Sequence, residues 1–285
     1  MAALFSVRFD GATLVGEADG FGLPVVFLHA GCTDRRMWAG QMAALAEAGY
    51  HVISYDRRGF GESESPDEAF SHLADLEAVL DQLSIHAVVL VGASLGGELA
   101  INFALEHPER TVGLVLIGTS IGGAPESDIP EEAEALNDAR AYAEEKRQFT
   151  SVARIDAQLW LDGPQSENGR VDGEIRELFI EMDRRALEKP PLTQEEEPES
   201  AFDTVGSIMA PTLLVVGDLD FPHIIDRHEE LSDDLENAFS VVLEETAHLP
   251  SLERPDLFDP LLLEFLDAIT GHGDADEADE EAGDD

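Results

Sequence analysis

His86-Ala-Val-Val-Leu-Val-Gly92-Ala93-Ser94-Leu95-Gly96-Gly97-Glu98-Leu-Ala-Ile-Asn-Phe-Ala-Leu-Glu-His107 changes period in its middle. Up to Ala93 it is a short β-branched run, as in a buried strand, and from Glu98 its apolar residues recur at helical spacing. Ser94 stands at the junction, so the stretch predicts a strand, a sharp turn and a helix with a serine at the apex. Gly92, Ala93, Gly96 and Gly97 leave no bulk around that turn, and Gly92-Ala93-Ser94-Leu95-Gly96 satisfies the pattern G-x-S-x-G. Such an elbow lifts the hydroxyl above the sheet edge, beside a helix N-terminus that favours negative charge. An idle serine in a glycine-rich turn is the plainer alternative, and the rest of the chain has to decide.

Outward from the elbow the same rhythm repeats. Leu4–Phe9 and Thr13–Glu17 read as a hairpin turned at Asp10-Gly11. Pro24–Leu28 and His51–Tyr55 are buried strands, with a helix after Trp38 closed by Gly49 and another over 67–83. Val112–Ile117 follows the elbow helix as a further strand. Unbroken apolar strands alternating with helices predict a mostly parallel central sheet covered on both faces, an α/β fold. The rhythm stops near Gly118 and resumes at Pro211–Val216, followed by a helix at 222–233, a strand at 238–243 and a helix at 255–269. The expected organisation is a first core part at 1–119, a helical cap insertion at 120–203, a second core part at 204–270 and a disordered acidic tail at 271–285.

With 285 residues the chain can bury a full core, yet its 61 acids against 17 bases give a formal charge of −44. That balance disfavours nucleic acid and anionic membrane surfaces as partners. Disorder conflicts with the many apolar runs outside the tail, and cation binding would gather the acids into clusters. Acids spread along the chain, with lysine only at Lys146 and Lys189, fit a surface adapted to a salt-rich cytoplasm. Cys32 is the single cysteine, which excludes an internal disulfide and a cysteine-rich metal site. The first ten residues lack a secretory pattern and no stretch reaches membrane-span length, so the expected location is cytoplasmic.

A serine hydroxyl needs a base to take its proton. In this architecture the acid and the histidine follow the serine in that order. His248, in Ala247-His248-Leu249-Pro250, lies between the last strand and the last helix and is the expected base. His107, His72, His86, His51 and His228 have structural positions, and His29 is expected to fix its loop by hydrogen bonding. Gly217-Asp218-Leu219-Asp220 puts two aspartates at a strand end; Asp220 is the expected partner of His248, with Asp218 the fallback. The oxyanion hole should use the N–H of Leu95 and a second N–H from Gly31, with Cys32 the neighbouring candidate. Cys32, Trp160, Phe221 and Leu249 are the expected pocket residues. Phe149, Leu159, Leu161, Phe179 and Met182 are further pocket candidates whose helical spacing fits plain packing as well.

With these motifs in hand, the chain resembles the α/β-hydrolase superfamily over all but its acidic tail. The resemblance rests on His29-Ala30-Gly31 with Asp34-Arg35-Arg36-Met37-Trp38, on Asp56-Arg57-Arg58-Gly59-Phe60-Gly61-Glu62-Ser63, and on the elbow, the Gly217–Asp220 loop and the His248 loop. It implies a Ser94–His248–Asp220 triad, an oxyanion hole from Gly31 and Leu95, and a helical cap. Ala30 departs from the pattern, where glycine is commoner. A serine at the elbow sets the chain apart from the epoxide-opening and dehalogenating members, which use aspartate. Trp160–Pro164 and Ser251–Pro255 resemble the capped group that includes 3-oxoadipate enol-lactonases, carboxylesterases and carbon–carbon bond hydrolases. The implied activity is hydrolysis of an ester, lactone or related acyl bond of a small molecule, with no metal and no cofactor. Haloperoxidase-like perhydrolysis, a proline iminopeptidase-like activity and a silent ligand-binding protein are the alternatives. Substrate and oligomeric state stay open.

Overall fold

A computed structural model describes residues 2–125, 130–196 and 198–271. The chain opens with the hairpin β1 (Ala3–Phe9) and β2 (Ala12–Asp19), whose turn places Asp10 and Gly11 at φ 42° and 76°. Then come β3 (Pro24–Leu28), a 3₁₀ turn at Arg35–Trp38, α1 (Ala39–Glu47), β4 (His51–Tyr55) and α2 (His72–Gln82). The elbow stretch forms β5 (Val88–Ala93) and α3 (Leu95–Glu106), and β6 (Thr111–Ile117) follows. Between β6 and the next strand lie α4 (Glu131–Glu145), α5 (Phe149–Asp156), a π-helical turn at Ala157–Asp162 and α6 (Gly173–Leu187). The chain closes with β7 (Thr212–Gly217), α7 (Pro222–Asp234), β8 (Ala238–Leu243), α8 (Pro250–Glu253) and α9 (Pro255–Thr270).

The eight strands form one sheet in the order β1-β2-β4-β3-β5-β6-β7-β8. Only β1–β2 and β2–β4 pair antiparallel; the other five pairings are parallel, as expected of unbroken apolar strands. Pleating sends alternate residues of each strand to opposite faces. Val26 and Leu28 of β3 therefore join Leu76, Val79 and Phe103 from α2 and α3. Val25 and Phe27 join Leu45, Phe258 and Leu262 from α1 and α9. Burying each such side chain contributes about 1.5–3 kcal/mol, so both helical layers are held firmly to the sheet. The result fixes the C-terminal ends of β3, β5, β6, β7 and β8 along one rim, where parallel sheets place their sites.

One element starts later than the sequence predicts. The helix expected from residue 67 begins at His72, with the Ser71 hydroxyl accepting the N–H of Ala74 as its cap. Phe70 is instead extended, donating to Gln194 O and accepting from Glu196 N. The predicted tail lies outside the described residues beyond Gly271. No described helix is long and apolar enough to cross a membrane.

Candidate active site

Ser94 sits at φ 53° and ψ −118°, a conformation that L-residues seldom adopt. Its backbone is held there by Ser94 N donating to Ile117 O, and by Gly97 and Glu98 N–H groups donating to its own carbonyl. Neighbouring backbones come too close for side chains. A Cβ on Gly92 would lie 2.3 Å from Gly96 O, and one on Gly96 would lie 2.2 Å from Leu28 O. The glycines that suggested an elbow are therefore required by contact, because α3 starts directly against the end of β3.

The loop after β3 is fixed by His29, as its position suggested. Its Nδ1 donates to Ala30 O at 2.8 Å, and Nε2 accepts the Arg57 N–H at 3.1 Å. Burial, with the Arg57 guanidinium nearby, pushes the imidazole well below its ordinary range, which suits the neutral ring these bonds need. Asp56 closes the same loop, accepting from the backbone of Arg35 at 2.9 Å and of Glu62 at 2.7 Å. Gly31 consequently lies against the elbow, with a Cβ there falling 2.8 Å from the Leu95 side chain.

At the end of β7, Asp220 is buried and accepts from His248 Nδ1 at 2.8 Å. Its other oxygen accepts the Phe221 N–H at 2.7 Å, which fixes the carboxylate plane. Asp218, the fallback, donates its N–H to Leu243 O and has no such contact with the histidine. The Trp160 ring lies 4.7 Å from the His248 ring, and Trp160 O accepts the His248 N–H at 3.3 Å. The π-helical turn of the insertion thus grips the histidine loop directly; such turns often mark functional sites.

Ser94, Leu95, Gly31, Cys32, Trp160 and His248 line one cavity of about 710 Å³ between the sheet rim and the insertion. That volume suits a small organic ligand. Two expected pocket residues are corrected. Phe221 is absent from the cavity wall because its ring stacks behind Trp160, at 4.6 Å. Leu249 is fully buried in the core on the α9 face. Of the other candidates, Leu161, Phe179 and Met182 pack in that same core, and Leu159 packs with Val216 and Phe221.

The structure adds residues the sequence did not single out. Glu253 is buried and accepts from Ala247 N at 2.9 Å and Leu249 N at 3.0 Å, bracketing His248. Arg170 of the insertion pairs with Glu253 and donates to the carbonyls of Leu161 and Glu245, at 2.7 and 2.8 Å. Glu253 lies one helical turn beyond Leu249, a spacing that could have flagged it. His223, Asp156 and Asp183 also line the cavity. Among 61 acids nothing in the sequence marks two as buried.

The chain matches the α/β hydrolase fold family over residues 24–255. It belongs to that family. This α/β hydrolase is similar to the 2-hydroxy-6-oxononadienedioate/2-hydroxy-6-oxononatrienedioate hydrolase of Comamonas testosteroni, 29% identical over 262 residues, 87% of this chain and 88% of that one. Among solved structures it resembles Est816, described as an N-acyl homoserine lactone degrading enzyme. That likeness has 28% identity and a TM-score of 0.68, covering 91% of this chain and 99% of the other. A thermophilic esterase from Thermogutta terrifontis is 25% identical with a TM-score of 0.75, covering 94% and 99%.

Proposed function

We propose that this α/β hydrolase cleaves an ester, lactone or related acyl bond of a small molecule through Ser94, His248 and Asp220. The observation that carries the reading is the buried Asp220–His248 hydrogen bond, whose histidine lines the same cavity as Ser94. Asp220 fixes the tautomer that leaves Nε2 free to act as base. His248 takes the Ser94 proton as the oxygen attacks the carbonyl. The Leu95 N–H, with that of Gly31 or its neighbour Cys32, faces the developing oxyanion, whose charge the α3 N-terminus favours. The alcohol leaves with the proton from His248, and water, activated by the same base, frees the acyl group from Ser94. These are the residues' own tasks and call on no bound cofactor.

The helical insertion between β6 and β7 acts as the cap of this site, and its Trp160 and the loop residue Cys32 border the substrate. Kinship with a lactone-degrading enzyme and an esterase supports this bond class. A fluorophosphonate probe tests the reading. Ser94 should be labelled in the native chain and labelling should vanish in Ser94→Ala, with p-nitrophenyl butyrate turned over only by the former. Absence of labelling in a folded native chain would refute it. The spread of acids further supports a salt-rich cytoplasm as the working environment, and melting temperature should rise steeply with potassium chloride.

A further inference from the structure

Three imidazoles line the cavity that holds Ser94, and only one of them has a task in the acyl transfer. His248 is the base. His72 stands beside Phe70 and Glu195, with its ring 5.1 Å from the first and Nε2 3.8 Å from the second. His223, the second residue of α7, is unaccounted for. Ring contacts run from His248 to Trp160 at 4.7 Å, on to Phe221 at 4.6 Å and then to His223 at 5.4 Å. His223 follows β7 and His248 follows β8, on one side of Ser94 in the strand order, while Gly31 follows β3 on the other.

The two nitrogens of His223 are in different situations. Nδ1 is buried and has no hydrogen-bond partner among the described residues. Nε2 is the nitrogen left open on a half-buried ring that lines the cavity. Burial pushes this imidazole below its ordinary range, so at neutral pH the ring carries a single N–H. An orphaned buried N–H is costlier and rarer than a bare acceptor, which puts the proton on Nε2. The wall beside the base thereby presents a neutral donor to the cavity.

Such a donor takes an oxygen acceptor. Asp220, Asp226 and Arg227 lie within electrostatic reach of the ring, and Arg227 is itself paired with Glu230. A carboxylate would meet that negative balance, so the acceptor that fits is an uncharged carbonyl. In the reaction proposed above, His248 hands its proton to the departing alcohol, and the wall next to His248 therefore borders that alcohol.

We propose that His223 is a specificity residue whose Nε2–H donates to a carbonyl oxygen on the alcohol portion of the substrate. This deepens the hydrolase reading and rests on it for the placement. The preferred esters then carry a keto, ester or amide group beyond the scissile oxygen. A plain alkyl alcohol leaves the donor unpaired, and a site built to hydrogen-bond rejects the analogue that lacks the acceptor.

The experiment compares pentyl butyrate with 4-oxopentyl butyrate, which differ by a carbonyl in place of a methylene, using pH-stat titration on the full chain. Native kcat/KM should favour the keto ester by about three- to tenfold, the worth of one neutral hydrogen bond. His223→Phe keeps a ring and removes the donor, so the ratio should fall to about one. His223→Gln, whose amide still donates, should retain part of it. A merely structural histidine would slow both esters alike, and a ratio unchanged in His223→Phe, or absent from the native chain, would overturn the proposal. Should neither ester be turned over, ¹⁵N spectra of histidine-labelled protein read the same assignment. The His223 signal, identified by its loss in His223→Phe, should show the proton on Nε2 and move on adding 5-hydroxypentan-2-one but not pentan-1-ol. That shift without turnover counts against the hydrolase reading alone. A ring protonated on Nδ1, or one unmoved by the ketone, counts against the donor.

Discussion

Glu253 and Arg170 form an ion pair across the joint between the insertion and the histidine loop. The carboxylate is fully buried, whereas the guanidinium is 23% exposed. Because Glu253 also accepts the N–H groups on either side of His248, it positions that residue, and under the proposed mechanism it is a positioning residue. Glu253→Ala should cost about 1–3 kcal/mol, the usual effect of leaving buried N–H groups without an acceptor, since the partly exposed Arg170 that remains is partly solvated. Its kcat should fall with KM little changed, and Glu253→Gln should recover part of the rate because an amide oxygen still accepts one N–H. Denaturant titration and steady-state kinetics on p-nitrophenyl butyrate check both.

Asp220→Asn presents an amide where a carboxylate now accepts the Nδ1 proton at 2.8 Å. The imidazole loses the partner that selects its tautomer and stabilises its protonated form. The expected loss is about 10³–10⁴ in kcat with stability nearly unchanged. Asp218→Asn, whose side chain makes no contact with His248 among the described bonds, should stay within about twofold of native activity, since surface changes away from a site are usually mild.

Gly118 follows β6 and lies against the same pair. A Cβ there would lie 3.0 Å from His248 Nδ1 and 3.2 Å from Asp220 Oδ2, at a φ of +50°. Gly118→Ala should therefore displace the imidazole by a few tenths of an ångström and lower kcat by about tenfold or more, since small misplacements are costly in catalysis. The left-handed backbone adds a destabilisation of about 1 kcal/mol. Kinetics and a thermal melt in the same buffer separate the two effects.

The Asp156–Asp183 pair makes a pH-dependent contribution to stability whose sign follows from proton binding. Asp183 is raised from 3.8 to about 8 in the folded chain, so between those values the folded state holds more protons than the unfolded. Stability from this group then falls as pH rises through that window. Asp183→Asn removes the titration, so its melting temperature should gain on the native chain from pH 5 to pH 9. A constant difference across that range would contradict the assignment.

The sheet and the Ser94 elbow were legible because their signals are local. Period-two and helical apolar spacing, with glycines at the turn, report on residues within one element. The meeting of Asp220 with His248 was legible from strand order, since chain position at the rim restricts which residues can come together. The failures have a common physical origin in distant partners. Phe70 is extended because residues 194–196 pair with it, and Phe221 turns from the cavity because Trp160 covers it. Leu249 points inward because the N–H groups around His248 are anchored to Glu253. None of these contacts leaves a periodic trace.

The backbone of Ser94, at φ 53° and ψ −118°, is one that glycine would occupy without strain. Holding a side chain there costs about 1–3 kcal/mol. A lineage selected for durability alone would drift to glycine at this position, since a single codon change would yield a sturdier fold. The strain at Ser94 is thus a cost borne by the fold, and under the proposed mechanism it is the cost of presenting a hydroxyl at the rim.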